Sequence, residues 1–253
     1  DRTSFQKVPL SLHSTINSNY EAVLDIFMDK EDDIWVATVY GGVVKLTSKK
    51  SVSYLGHSYE NQTNLPDNNI QGVVKDQRGA IWCGTWRNGI GYSTDNKRFQ
   101  QLPGTIDKKV ESFLETDGLM LAGTNKGLFA YSVENPAKGV LWDILSSHKI
   151  KDIFEDSQGR LWVGSQQKGL HLFQNKKAAI SGKGQHFTVG ASETLKSDRI
   201  SQVTEDVQGR IWVGTYNGLY VYQEQDSTFQ RVDQGMTANF PSVIFLSLLS
   251  GEA

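Results

Sequence analysis

Few residues of this 253-residue chain could do covalent or metal chemistry, and their spacing argues against it. The five histidines, His13, His57, His148, His171 and His186, never fall at the paired spacing of metal ligands, so each reads as an ordinary surface or satisfied histidine. Cys83 is the single cysteine, which excludes an internal disulfide and a cysteine-built zinc site. It stands where sister segments carry valine or alanine, and so reads as a small core residue rather than a nucleophile. Gly190-Ala-Ser192-Glu-Thr194 lacks the closing glycine of a nucleophile elbow, and Gly182-Lys183 is followed by Gly184 instead of the hydroxyl residue of a phosphate loop. The acidic run Asp29 to Asp33 lacks the ordered Asp and Gly positions of a calcium loop and reads as a solvated turn. Asn61-Gln-Thr63 fits a glycosylation acceptor, a pattern expected by chance. No catalytic residue, no metal and no cofactor is expected.

Binding chemistry is better represented. Tyr40, Trp86, Arg87, Lys126, Gln167, Lys168, Tyr216 and Asn217 combine rigid aromatics with amides and cations. That mixture suits a sugar, whose apolar ring face stacks while its hydroxyls take hydrogen bonds. Trp86 is the sharpest candidate, with packing over a sheet edge as the competing reading. Arg87 beside it suits a carboxylate or sulfate on an acidic glycan. His57, Tyr59, Asp67, Asn68, Asp198 and Arg199 form a weaker second group.

These residues share a place because the elements that carry them repeat. Asp76-Gln-Arg-Gly79-Ala-Ile-Trp82-Cys-Gly84-Thr85 is answered by Asp156 to Ser165 and by Asp206 to Thr215. Two weaker copies run from Asp29 to Thr38, with Ala37 for the second glycine, and from Asp117 to Thr124, one residue shorter with Leu121 for tryptophan. The equivalent positions 35, 82, 121, 162 and 212 are separated by 47, 39, 41 and 50 residues, a period that means a solenoid or a propeller.

Within each copy an apolar stretch runs into the Asp-x-x-Gly turn, then the tryptophan strand. A turn ending in glycine follows, then an alternating strand such as Leu219-Tyr-Val-Tyr222, then a fourth stretch such as Phe229-Gln-Arg-Val232. Four short strands joined by tight turns make one antiparallel sheet. Tyr20, Val23, Leu24 and Phe27 have helical spacing, but register with the other copies places Leu24 to Met28 on a strand. A four-stranded unit cannot bury both faces alone and must stack on its neighbours, which predicts an all-β propeller. The strand tryptophans Trp35, Trp82, Trp162 and Trp212 then belong to the fold, each ring interlocking blades beside a glycine gap. The turns between second and third strands, with the blade-to-blade connections, share one end of the blades, and the candidate residues lie there.

The predicted blades are 20–57, 70–102, 110–145, 150–189 and 199–232. Phe5-Gln-Lys-Val8 repeats the fourth-strand phrase and marks 1–10 as the outer strand of a preceding blade, while 243–253 reads as the start of a next one. The chain is therefore expected to be a piece of a larger, seven-bladed propeller. A single sixth blade shared between the two ends would leave a half-empty wedge.

Charge and hydropathy narrow the partners. With 26 basic and 28 acidic residues, no strong field draws the chain to nucleic acid or anionic lipid. The longest apolar run, Val243 to Leu249, is far below the roughly 20 residues that span a bilayer. No signal-peptide pattern stands at the N-terminus.

The phrase Asp-x-x-Gly-x-Ile/Leu-Trp-Val-Gly-Thr followed by Gly-Leu resembles the repeat of the two-component regulator propellers of Bacteroides-type hybrid two-component systems. The resemblance implies a non-catalytic, periplasmic sensor region that detects a glycan-derived oligosaccharide and works as a homodimer. It further implies more propeller blades and signalling domains, including a histidine kinase, in the same parent chain. Two other readings stand beside it. One is a metal-dependent propeller enzyme of the streptogramin-lyase or lactonase type, and the other is a pure dimerisation scaffold.

Overall fold

The structure is a computed structural model that describes residues 22–47, 52–56, 64–189 and 195–232. The readings placed on 1–10, His13, Tyr20, His57, Tyr59, the Asn61 acceptor, the Gly190-Ala-Ser192 segment and 243–253 lie outside the described residues. The rest forms five four-stranded antiparallel sheets, each with its strands in chain order. They divide into two compact units at Asp107 and Lys108.

Unit one holds blade I, β1 (Val23–Met28), β2 (Ile34–Thr38), β3 (Gly42–Leu46) and β4 (Val52–Leu55), and blade II, β5 (Ile70–Lys75), β6 (Ile81–Thr85), β7 (Ile90–Ser93) and β8 (Gln100–Gln101). Unit two holds blade III, β9 (Val110–Thr116), β10 (Leu119–Thr124), β11 (Gly127–Ser132) and β12 (Trp142–Ile144). Blade IV follows as β13 (Ile150–Glu155), β14 (Leu161–Ser165), β15 (Leu170–Phe173) and β16 (Gln185–Phe187), with the short helix α1 (Lys176–Ile180) between its last two strands. Blade V is β17 (Ile200–Glu205), β18 (Ile211–Thr215), β19 (Gly218–Gln223) and β20 (Thr228–Arg231). These are propeller blades, as the repeat demands.

The recurrent aspartate explains the motif. In blade II one oxygen of Asp76 accepts the Arg78 and Ala80 N–H groups and closes the turn, while the other accepts the Trp82 indole N–H at 2.8 Å. Asp29 does the same for Trp35, Asp156 for Trp162 and Asp206 for Trp212. A buried donor is thereby satisfied inside its own blade. Gly79, Gly159 and Gly209 take φ between 75 and 87° in the turn, and in blade I Asp32 holds the same left-handed position at 59°.

The acidic run is thus not simply a solvated turn. Asp29 is buried, and Lys75 of the next blade pairs with it at 3.0 Å. Burial opposes its ionised form, but the bonds from Trp35, Lys75 and the backbone outweigh it and bring Asp29 down to about 2.

Blade faces interlock within each unit. Trp35 packs with Val73, Ile81 and Cys83 of blade II, and Trp162 packs with Ile200, Val203 and Tyr222 of blade V. Burial pushes the Cys83 thiol pKa up, as suits a core residue rather than a nucleophile. The glycine gap receives the next blade's first-strand isoleucine, not the tryptophan: a Cβ on Gly123 would meet Ile150 Cγ2 at 2.8 Å, and one on Gly164 would meet Ile200 Cγ2 at 2.6 Å. Half-buried aspartates add backbone bonds across the same seams, Asp25 accepting the Val73 N–H and Asp152 that of Val203.

Candidate functional site

The last residue of the motif sets up the loops. The hydroxyls of Thr38, Thr85, Thr124 and Thr215 donate to the carbonyls of Gly42, Gly89, Gly127 and Gly218 across the turn between second and third strands. Thr85, Thr124, Ser165 and Thr215 also accept an amide from within that turn, from Asn88, Lys126, Lys168 and Asn217. The turn backbone is thus fixed from below, and the remaining turn side chains are left free to vary.

In unit one this end of the blades carries a cleft of about 610 Å³ lined by Leu24, Val39, Tyr40, Asp67, Asn69, Gln71, Trp86 and Arg87. Three of the eight sequence candidates, Tyr40, Trp86 and Arg87, meet there. Tyr40 sits at the β2–β3 turn with φ of +64°, a conformation in which a bulky residue costs on the order of 1 kcal/mol. Bonds from the Val39 N–H to Ala22 and from the Gly42 N–H to Asn68 hold it there. Trp86 is fastened by its backbone N–H to the Asn69 carbonyl at 2.9 Å, leaving the indole 43% exposed and Tyr40 59% exposed. Two large rings presented to solvent beside a cleft are unlike the fully buried Trp82 four residues earlier.

The polar wall comes from the connection into β5. Asp67 accepts the Asn69 N–H in a local turn at 3.0 Å, and the Gln71 amide donates to Asn69 Oδ1 at 2.6 Å. The Asn88 amide donates to the Pro66 carbonyl and ties the Trp86 loop to that connection. The lining therefore offers two aromatic faces, two aliphatic side chains, two amides, one carboxylate and one guanidinium. These side chains supply stacking faces and hydrogen-bonding groups.

The other candidates lie in unit two and occupy equivalent turns of three blades. Tyr216 has the Arg199 guanidinium 3.9 Å over its ring, so one face of the ring is already taken. Asn217 spends its side-chain amide on the Lys196 carbonyl at 3.2 Å. Lys126, Gln167 and Lys168 are exposed at the β10–β11 and β14–β15 turns. Among the weaker group Asp67 joins the cleft, the Asn68 carbonyl anchors the Tyr40 turn, and Asp198 accepts the Val189 N–H. Leu24, Asn69 and Gln71 were not singled out in the sequence as binding residues. Asn69 and Gln71 stand immediately beside Asp67 and Asn68, and their place at the entry to a first strand was the available signal.

Residues 64–87, 144–167 and 194–217 match the family model described as two component regulator propeller. Each matched segment ends on the turn that carries candidate residues. A search of curated proteins returned no match. Among solved structures the chain is similar to the extracellular domain of a chain assigned to a hybrid two component system of B. thetaiotaomicron, with 21% identity and a TM-score of 0.72 over 88% of this chain and 30% of that one. A second such domain from B. thetaiotaomicron gives 21% identity and 0.65 over 79% of this chain and 27% of that one. Virginiamycin B lyase from Staphylococcus aureus gives 12% identity and 0.63 over 83% of this chain and 69% of that one. This chain thus spans less than a third of the two B. thetaiotaomicron domains it resembles. Likeness at these identities fixes the β-propeller fold, which sensors and a lyase share, and function must be argued from the site.

Proposed function

We propose that the chain is a non-catalytic, ligand-sensing propeller segment from the periplasmic region of a hybrid two-component sensor histidine kinase. Its ligand is an oligosaccharide released from a glycan. The observation that carries this reading is the unit-one cleft, where Trp86 and Tyr40 stand exposed beside Asp67, Asn69, Gln71 and Arg87 on repeats of the two-component regulator type. Exposed rigid aromatics at a polar cleft bind sugar ring faces with little loss of side-chain entropy, and the amides and charged groups select hydroxyl positions. Further blades and the kinase belong to the same parent chain, which acts as a homodimer.

The test is calorimetric titration of the intact sensor region with a panel of defined neutral and acidic oligosaccharides, in wild type and Trp86→Ala. Truncating a central aromatic anchor is expected to weaken binding about 10- to 100-fold while leaving the melting temperature within a few degrees. Absence of binding to every glycan, or unchanged affinity in Trp86→Ala, overturns the assignment of this cleft.

A further inference from the structure

The three described histidines, which look unrelated in the sequence, come together in blade IV. His171 on β15 stands opposite His186 on β16. Their rings stack at 3.9 Å and 10°, and His148, from the connection into β13, meets His171 edge to face at 5.0 Å. His171 is 8% exposed and its Nε2 is buried without a hydrogen-bond partner, so it is not the satisfied histidine that spacing suggested. The His171 ring also lies parallel to Phe173 at 6.0 Å. Among the described residues no such group is placed to hold a metal ion.

Sister blades show that packing alone does not demand histidine here. The position of His171 is filled by Phe129 in blade III and Tyr220 in blade V, each opposite a residue of the same register. The position of His186 is Gln101 in blade II, and its side-chain amide donates to the Asn88 carbonyl at 2.6 Å. His186 Nε2 lies 2.5 Å from the equivalent carbonyl, that of Lys168, which assigns the donor proton to Nε2. Both side chains tether the turn between second and third strands. That turn is bound in its turn to the loop before β13, because the Gln166 N–H donates to the Lys149 carbonyl.

We infer that His148, His171 and His186 form a proton-sensitive fastening that holds the loops 145–149 and 166–169 together while the His171 imidazole is neutral and releases them when a proton enters it. The ionisable groups that act on His171 are the other two imidazoles. The loops themselves carry the cations Lys149 and Lys168, and the carboxylate of Asp198 beyond β16 is committed to the Val189 N–H. A proton on His171 Nε2 finds no acceptor and faces two further imidazoles. Burial, then those neighbours, hold its pKa at about 3 against an ordinary 6.5. Opening the loops restores the ordinary value, so acid favours the open form. Gln167 and Lys168 ride on one of these loops, so the device would regulate the exposed end of unit two independently of the unit-one cleft.

Amide hydrogen exchange in the whole chain at pH 7 and pH 5, corrected for intrinsic rates, tests this at Gln166 and Gly169, whose N–H groups bond to Lys149 and Asp198. One obligatorily neutral imidazole of ordinary pKa 6.5 predicts that the opening constant rises up to about 25-fold between the two pH values. His171→Phe, which installs the ring of blade III, is expected to flatten that rise, and His186→Gln, which installs the tether of blade II, to keep full protection at pH 7. Equal opening at both pH values in wild type, or an undiminished rise in His171→Phe, overturns the inference. Should the Phe variant fail to fold, the imidazole Hε1 resonances of wild type decide. A His171 signal that stays neutral down to pH 5 supports the fastening, and one that titrates near 6.5 overturns it.

Discussion

The aspartate six residues before each strand tryptophan should be one of the most expensive residues in the chain to replace, and its cost should vary between blades in a way the burial dictates. Asp156 accepts the Trp162 indole N–H at 2.8 Å and the Arg160 Nε at 2.6 Å on one oxygen, and the Gln158 and Arg160 backbone N–H groups on the other. Trp162 is 0% and Arg160 4% exposed. Removing the carboxylate in Asp156→Ala leaves a buried indole donor and a buried guanidinium N–H unsatisfied and uncaps the turn. At about 1–3 kcal/mol for each orphaned buried donor, with Arg160 still held by Glu224, the loss is about 3–5 kcal/mol.

Asp206→Ala removes the same set of bonds around Trp212, but Arg210 is exposed and the turn lies in water. Solvent replaces most of what is lost, so about 1–2 kcal/mol is expected there. Asparagine does not rescue Asp156, because its amide nitrogen must face either the indole donor or the backbone donors. Urea unfolding followed by tryptophan fluorescence measures all three variants. An Asp156→Asn protein within 0.5 kcal/mol of wild type, or equal costs for Asp156→Ala and Asp206→Ala, would refute the claim that this carboxylate organises the blade through buried bonds.

Two further perturbations probe the seams between blades. The Asp152 carboxyl is half-buried in the seam, and desolvation raises its pKa to about 6 against the lowering effect of the Val203 and Ile153 N–H groups. The folded value lies above the unfolded one, so its stabilising contribution is full below about pH 4 and disappears as pH rises through 6. Asp152→Asn keeps an acceptor for the Val203 N–H without the charge, and urea midpoints should show it more stable than wild type at pH 7, by up to about 3 kcal/mol, and little changed at pH 4. Gly164→Ala pushes a methyl to 2.6 Å from Ile200 Cγ2 and is expected to cost about 1–3 kcal/mol, whereas Gly214→Ala meets only the Ser201 hydroxyl at 2.9 Å and should cost less in the same denaturation assay.

The fold was legible because its determinants are local. Asp76, Gly79, Trp82, Gly84 and Thr85 lie within ten residues, and the bonds among them recur wherever the phrase recurs. What the sequence obscured depends on register across gaps of variable length. His171 and His186 face each other only because β16 pairs with β15 after an intervening helix, α1, which no periodicity announced. The burial of Asp29 was hidden for a similar reason, since its cation, Lys75, comes from the next blade, forty-six residues on. Tyr40 and Trp86 are likewise forty-six positions apart, and the sequence could say only that both occupy the same turn of successive copies.

That shared turn is where the blades diverge, and the divergence has a physical origin. The threonine or serine hydroxyl fixes the turn backbone, and the aspartate fixes the strand that feeds it, so neither task is left to the turn side chains. Blade II uses that freedom to expose Trp86 and Arg87 to a cleft, blade V covers Tyr216 with Arg199, and blade IV ties the Lys168 carbonyl to a histidine. A substitution in such a turn alters what the blade presents without disturbing how it stacks, whereas one in the aspartate, tryptophan or glycine does the reverse. Binding variants and folding variants of this chain should therefore separate by position within the repeat, largely independent of which blade carries them.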